Sequence, residues 1–176
     1  THTGRHTGNV SPAGSGRIAL GTAGSFGEQA ALEYFGSGCA ELKKYLGFDD
    51  VLAAVAEGEI DYGVLPVENS TAGDVLEVSD LIVRYNLYIV GEHTLRIRHN
   101  LLGLPDAEIS DITQVYSHIQ ALNQCRQFLK KHPGIEDIPY ANTALAAEYV
   151  AKKGDIHLAS IGSIRCSELY NLKVLA

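Results

Sequence analysis

The hydrophobic pattern along the chain changes at short, regular intervals. From Arg17 onward, short apolar runs alternate with segments of about ten residues whose apolar positions recur at helical spacing. This alternation is typical of an α/β fold with mostly parallel strands and helices on both faces of a sheet. The apolar runs predict strands at residues 18–20, 62–66, 115–116 and 156–161, with a longer extended segment at 87–102.

Capping residues place the predicted helices between these strands. Ser25 and Glu28 have the spacing of a capping box, so we expect a helix from there to about Tyr34. Ser117 and Asn142 are predicted N-caps, and glycine or proline follows the ends of several helical segments. The predicted helices cover residues 25–34, 48–57, 74–84, 117–130, 142–153 and 162–170.

The two ends of the chain differ from its body. Residues 1–16 are Gly, Ser, Thr or Pro at ten of sixteen positions and show no apolar period, which predicts a disordered leader or tag remnant. Residues 174–176 are apolar and lie inside a predicted strand. We therefore expect the 176 residues to be a piece of a longer chain.

Composition narrows the class of protein. With 45% hydrophobic and 20% charged residues, a chain of this length can bury a core without disulfide or metal support. A net charge of -7 argues against nucleic acid or an anionic membrane as a partner. No apolar run reaches the roughly 20 residues of a membrane span. Cys39, Cys125 and Cys166 have no metal-type spacing and indicate thiols in a reducing compartment, so we expect a soluble cytoplasmic protein.

Several predicted strands end in small polar clusters that begin the next helix. In an open α/β sheet such strand ends meet at one crevice, where ligands bind. Helix N-termini there would favour a carboxylate or a phosphate. No nucleotide-binding glycine motif, metal-ligand set or G-x-S-x-G elbow occurs. The clusters lie at residues 21–25, 68–73, 117–118, 142–143 and 162–163.

Each candidate residue also has a purely structural interpretation. Capping a helix is by itself enough to explain the residues predicted as N-caps. Glu68 and Asn69 are also of the types found in ordinary turns. His118 is either a proton carrier or a hydrogen-bonded residue at a helix start. Gln124 lies two helical turns beyond Ser117 on nearly the same face, where a surface position is the alternative. We assign no role to the two histidines of the extended segment, His93 and His99.

Taken together, several segments resemble the catalytic domain of prephenate dehydratase, a lyase of phenylalanine biosynthesis. Residues 21–31, GTAGSFGEQAA, are similar to the family's G-P-x-G-[ST]-F-S-E-x-A-A. Residues 61–70, DYGVLPVENS, are similar to D-Y-x-V-x-P-x-E-N-S, and residues 116–125, YSHIQALNQC, to Y-S-H-P-Q-A-L-x-Q-C. Further matches are the L-x-I-V-G-E strand at 87–92, T-A-x-A-A at 143–147 and I-G-S…L-Y-x-L at 161–172.

The resemblance implies a fold, a reaction and a set of site residues. The fold is two α/β lobes resembling a type II periplasmic binding protein, about 17–93 and 94–176, with the active site in the cleft between them. The reaction converts prephenate to phenylpyruvate without a cofactor or metal, in an enzyme that is commonly a homo-oligomer. A preference between prephenate and arogenate stays open. The implied catalytic residues are Glu68, Asn69, Ser117 and Gln124, and the implied substrate-binding residues are Ser25, Phe26, Ser70, Thr71, His118 and Thr143.

The sequence departs from the family pattern in several places. Gly27, Ile119 and Asn142 replace Ser, Pro and Ser, and we expect helix starts to tolerate these changes. The family's T-R-F motif, whose Thr is the residue most directly tied to catalysis, does not occur in the chain. We therefore expect these 176 residues to have little activity and to lack the return of the chain to the first lobe, and neither a regulatory ACT domain nor a chorismate mutase domain occurs in them. The open alternatives are a non-catalytic small-carboxylate-binding module and a prephenate decarboxylase-like enzyme.

Overall fold

A computed structural model describes residues 16–21, 23–36, 40–69 and 73–176 of the chain. These residues form two compact units, one of residues up to 21 together with 30–94, the other of residues 22–29 together with 95–176. Residues 23–29 thus belong with the second unit, although the sequence predicted them in the first. The predicted leader lies outside the described residues except for Gly16, which belongs to the first strand instead.

The first unit is built around a small parallel sheet. Its strands are β1 (Gly16–Leu20), β2 (Ala40–Lys44) and β3 (Tyr62–Gly63), in the order β2-β1-β3. The helices α1 (Phe26–Phe35) and α2 (Phe48–Ala56) follow β1 and β2 along the chain. Val51 of α2 packs with Ala19 and Ile60 in one buried cluster. Each helix begins and ends within one residue of its predicted position.

The rest of the first unit differs from the prediction. The expected buried strand at residues 62–66 is a strand only at Tyr62–Gly63, and Gly63 and Pro66 are exposed. Glu68 and Asn69, expected in a turn, form β4 (Glu68–Asn69), which pairs antiparallel with β5 (Gly73–Asp74). Helix α3 (Leu76–Arg84) begins after Asp74 rather than at it. Residues 87–99, predicted as extended, contain no helix or strand.

The second unit contains a five-stranded sheet in the order β10-β6-β9-β7-β8. Three adjacent strands, β9, β7 and β8, are parallel, whereas β6 and β10 run antiparallel to their neighbours. The mostly parallel α/β class predicted from the sequence is therefore confirmed. The five strands are β6 (Asn100–Gly103), β7 (Gln114–Ser117), β8 (Glu136–Pro139), β9 (Leu158–Gly162) and β10 (Lys173–Val174).

Helices connect these strands and cover the sheet. They are α4 (Ile119–Gln124), α5 (Arg126–Lys131), α6 (Thr143–Lys153) and α7 (Ile164–Tyr170), and a short 3-10 helix spans Ile109–Asp111. The predicted helix 117–130 is interrupted at Cys125, and its N-cap is His118, not Ser117, which is the last residue of β7. The predicted cap at Asn142 and the end at Gly154 are confirmed, because the Asn142 amide oxygen accepts a hydrogen bond from the Leu145 N–H and Gly154 has φ 63°.

The second unit buries apolar side chains on both faces of its sheet. One cluster includes Val115, Leu122 and Ile161, and another includes Leu102 and Val150. Alternate residues of a strand point to opposite faces, so Leu101 and Leu102 of β6 belong to different clusters. Of the helices in the described part of the chain, none has both the length and the apolar character needed to cross a bilayer.

Candidate functional site

The carboxyl ends of three strands meet at one edge of the second unit's sheet. Because β9, β7 and β8 are parallel, the residues that follow them lie along the same edge. The antiparallel strand β6 begins at this edge, since Asn100 is paired with Gly162 at the end of β9. We call this the carboxyl edge. It carries Ser117 at the end of β7 with His118 after it, Asn142 and Thr143 after β8, Gly162 at the end of β9 with Ser163 after it, and His99 before β6.

Ser117 is fully buried at this edge. Its hydroxyl donates a hydrogen bond to the carbonyl oxygen of Ile161, 2.6 Å away on β9. The hydroxyl therefore ties the ends of β7 and β9 together. Its role toward a substrate stays a prediction, and the hydroxyl oxygen retains acceptor capacity.

His118 and Gln124 lie at the two ends of α4. His118 caps the helix, because its Nδ1 accepts a hydrogen bond from the Gln120 N–H at 3.2 Å, which places the proton of the neutral ring on Nε2. The Gln124 amide oxygen lies 2.5 Å from Nε2 of His99, just before β6. Only the topology of the sheet brings His99 and Gln124 together, which is why sequence reasoning gave His99 no role.

Residues 23–29 pack against the carboxyl edge within the same unit. The hydroxyl of Ser163 and the thiol of Cys166 both donate to the carbonyl oxygen of Gly24, at 2.7 and 3.1 Å. Gly24 has φ 76°, and a Cβ there would lie 3.0 Å from the Cys166 sulfur. A glycine is therefore needed both for the backbone conformation and for the close approach.

Ser25, Phe26 and Glu28 begin α1 at this position. The Ser25 hydroxyl accepts a hydrogen bond from the Glu28 N–H at 3.2 Å, which is half of the predicted capping box. The nearly buried Glu28 carboxylate instead accepts from the Gly24 N–H, one residue before the expected donor. The Phe26 ring meets the His99 ring edge-on, with centroids 5.6 Å apart. Both predicted binding residues therefore lie in the unit that carries the carboxyl edge.

Thr143 is the first residue of α6 and is half-buried. Asn142 precedes it and satisfies one orphan N–H group of the helix through the cap described above. The positive end of the helix dipole therefore lies at the carboxyl edge, where it favours a negative charge.

The other predicted residues belong to the first unit. Glu68 lies exposed in β4, and Asn69 is the strand's second residue. Ser70 and Thr71 lie outside the described residues. The roles assigned to these four positions therefore stay predictions.

Two cysteines of the second unit are free thiols. Burial raises the pKa of both Cys125 and Cys166 above the ordinary range of a thiol. Because the thiolate is the nucleophilic form, neither is activated for attack. Cys39 lies outside the described residues. Across the part of the chain that the structure describes, no three His, Cys, Asp or Glu side chains are grouped as metal ligands would be.

A shallow depression of about 800 Å³ runs from the end of β8, at Pro139, along α6 to Lys153. Tyr140 and Tyr149 form its aromatic wall, with their ring centroids 5.4 Å apart, and Lys153 lies over the Tyr149 ring. None of the predicted site residues lines it. The candidate site of this unit is therefore the part of the carboxyl edge that carries the predicted residues, at the ends of β7 and β9 and the start of α6.

These features define an α/β protein of the class that binds small ligands at the carboxyl ends of parallel strands. The family model for prephenate dehydratase matches residues 18–176. The chain belongs to the prephenate dehydratase family.

One curated relative is the bifunctional chorismate mutase/prephenate dehydratase of Escherichia coli K12. It is 38% identical over 180 residues, covering 97% of this chain and 45% of the relative. The chain thus spans less than half the length of that relative.

Solved structures of two proteins align with most of the chain. Prephenate dehydratase from Arthrobacter aurescens, in complex with L-Phe, has a TM-score of 0.82 and 29% identity over 91% of this chain and 54% of its own. GqqA, described as a novel type of quorum quenching acylase, also has a TM-score of 0.82, with 30% identity over 91% of this chain and 58% of its own.

Proposed function

We propose that the protein containing this chain is a prephenate dehydratase. The observation that carries the proposal is the match of the prephenate dehydratase family model to residues 18–176, almost the whole described body. The arrangement of the carboxyl edge supports it, because five of the predicted site residues end a strand there, follow one, or belong to the segment packed beside it: Ser25, Phe26, Ser117, His118 and Thr143.

The reaction asks for positioning and hydrogen bonding. Prephenate carries two carboxylates and a ring hydroxyl. The bond to the ring carboxylate breaks to release carbon dioxide, and its electron pair enters the ring. The bond between the ring and its hydroxyl oxygen then breaks. The oxygen keeps the electron pair of that bond and takes up a proton, so that it leaves as water. Aromatisation of the ring supplies the driving force, so catalysis requires orientation of the carboxylates and assistance to the departing oxygen.

The carboxyl edge has groups suited to that task. Gln124 carries an amide that can donate to a carboxylate, and the first turn of α6 at Thr143 presents backbone N–H groups to an anion. Phe26 offers an apolar surface for the cyclohexadiene ring. In the first unit, Glu68, Asn69, Ser70 and Thr71 remain in the proposal as the family motif implies.

The direct test is an assay of the complete translation product that contains these residues. We expect it to convert prephenate to phenylpyruvate, followed by the absorbance of the product's enolate in alkali, and to do so equally in the presence of a chelator. Gln124→Ala should lower kcat/KM about ten- to hundredfold, the value of a hydrogen bond to a charged group. Gln127→Ala, on the exposed surface of α5, is the matched control and should leave kcat/KM unchanged.

The product distinguishes the alternatives. Carbon dioxide release without an aromatic product would indicate a decarboxylase, and calorimetric binding of prephenate without turnover would indicate a binding module. Hydrolysis of an acyl amide in place of prephenate turnover would align the protein with the acylase. Any of these three outcomes would contradict the proposal. Light scattering of the same preparation tests the homo-oligomer that the family resemblance implies.

A further inference from the structure

His99 occupies a position that the proposed mechanism does not use. It lies directly before β6, at the carboxyl edge, and its Nε2 is 2.5 Å from the amide oxygen of Gln124. The Phe26 ring packs edge-on against the imidazole. All three residues belong to the second unit. The imidazole is thus in direct contact with two predicted site residues.

The chemistry of this contact determines the direction of the hydrogen bond. An amide oxygen can only accept, so Nε2 of His99 must carry the hydrogen and donate it to Gln124. The same bond turns the NH₂ end of the Gln124 amide away from His99. One ring nitrogen therefore selects one of the two orientations that a glutamine amide can adopt.

The second ring nitrogen of His99 points to a role beyond stability. Nδ1 is buried, and it has no hydrogen-bond partner among the described residues. A polar atom left unpaired in the interior costs free energy, and native structures contain few of them. A histidine present only to stabilise the unit would be expected to have both nitrogens paired.

We propose that His99 is a positioning residue of the prephenate site. By donating Nε2–H to Gln124, it holds the glutamine amide with its NH₂ group directed to the substrate. This inference rests on the proposed function, because it assigns Gln124 to substrate binding. His99 acts through Gln124 and not on the reacting atoms.

Two substitutions test the roles of the two ring nitrogens separately. His99→Gln places an amide nitrogen near the position of Nε2 and can keep the donor to Gln124. His99→Asn places its amide near Nδ1 and cannot reach Gln124. We expect His99→Asn to lower kcat/KM about tenfold or more, and His99→Gln to restore most of the loss. His157→Asn, at an exposed residue, is the control and should match the unmodified protein.

A double-mutant cycle tests whether the effect passes through Gln124. If it does, adding His99→Asn to Gln124→Ala should cost little further activity, because the interaction is already lost. Losses that multiply would overturn the proposal, as would unchanged kinetics in His99→Asn. Circular dichroism of each variant verifies that it is folded.

A measurement on the unmodified protein keeps the inference testable if His99→Asn does not fold. Nitrogen-15 NMR of the imidazole should show the hydrogen on Nε2, and the Nε2 resonance should shift in Gln124→Ala. A hydrogen on Nδ1 alone, or no shift, would overturn the inference. If the unmodified protein makes no phenylpyruvate, the proposed function fails, and the NMR result still decides whether His99 orients Gln124. If the protein is active but the variants behave otherwise than stated, only the inference fails.

Discussion

Two buried serines of the second unit show how much a single hydroxyl depends on its partner. Ser117 donates to the Ile161 carbonyl oxygen at 2.6 Å, whereas the Ser160 hydroxyl is buried and has no partner among the described residues. Both side chains are completely inaccessible to solvent. Because both serines are buried in the same sheet, comparing their substitutions measures what one buried hydrogen bond contributes to the free energy of unfolding.

We expect removal of the two hydroxyls to affect the free energy of unfolding differently. Ser117→Ala should lower the free energy of unfolding by about 1 kcal/mol, because a carbonyl oxygen loses its donor. Ser160→Ala should leave it unchanged or raise it by up to about 1 kcal/mol, because no bond is lost and a desolvated polar group is removed. Urea unfolding of both variants measures this difference. Equal destabilisation would show that Ser160 has a partner in solution.

Gly24 combines a positive φ with a crowded neighbourhood, whereas Gly154 has only the positive φ. Both lie in the second unit, with φ 76° and 63°, but a Cβ at Gly154 would meet nothing within 4 Å. Gly154→Ala should therefore cost about 1 kcal/mol for the backbone conformation alone. Gly24→Ala should cost more, because its Cβ would lie 3.0 Å from the Cys166 sulfur. Thermal unfolding of the two variants checks the order, and equal losses would contradict it.

At the scale of elements, helix α6 agrees most closely with its sequence. Asn142 caps it and Gly154 ends it, both as predicted, because these signals act within a few residues. Two edge strands, β2 and β8, were not predicted from the sequence. β2 is largely charged, and β8 is mostly exposed and ends in Pro139, so neither shows the apolar pattern of a strand. Their hydrogen bonds to β1 and β7 define them.

The cap of α6 also tests the substitution of Asn142 for the family's Ser. Asn142→Ala should lower the free energy of unfolding by about 1 kcal/mol, because the Leu145 N–H loses its acceptor at 2.8 Å. Asn142→Ser should stay within a few tenths of a kcal/mol of the unmodified protein, because serine caps equally well. Urea unfolding distinguishes the two. A loss in Asn142→Ser as large as that in Asn142→Ala would mean that capping is not the main role of the side chain.

At the scale of the whole molecule, the two described thiols report on the integrity of the fold. Cys166 is fully buried and Cys125 half-buried, and burial raises the pKa of each. Because only the thiolate reacts, their modification in the native protein should require a higher pH than in the unfolded chain.

We expect Cys166 to react much more slowly than Cys125 in the native protein, and both to react rapidly in urea. Alkylation with site mapping by mass spectrometry follows each cysteine separately. Rapid native labelling of Cys166 would show that α7 opens from the unit without global unfolding.

At the scale of the whole molecule, the sequence also predicted the fold class and the family. The α/β class followed from the alternation of apolar runs with helix-period segments, and the observed strands and helices confirm it. The family followed from its motifs, and the family match confirms it. Residues 87–99, predicted as extended, form no strand of a sheet, because an apolar run becomes a strand only where a neighbour supplies hydrogen bonds, and Tyr88, Ile89 and Val90 are largely exposed here.

Local chemistry thus determined the fold class, the family and the ends of its best-capped helices, because those properties depend on residues a few positions apart. Tertiary structure decided which polar groups meet. Ser117, predicted as a cap, instead links two strands through its hydroxyl. The carbonyl oxygen of Gly24 accepts hydrogen bonds from Ser163 and Cys166, and His99 is hydrogen-bonded to Gln124. These partners are between 25 and 142 residues apart in the chain. Only the order and direction of the strands bring them within hydrogen-bond distance, and no local pattern encodes that order.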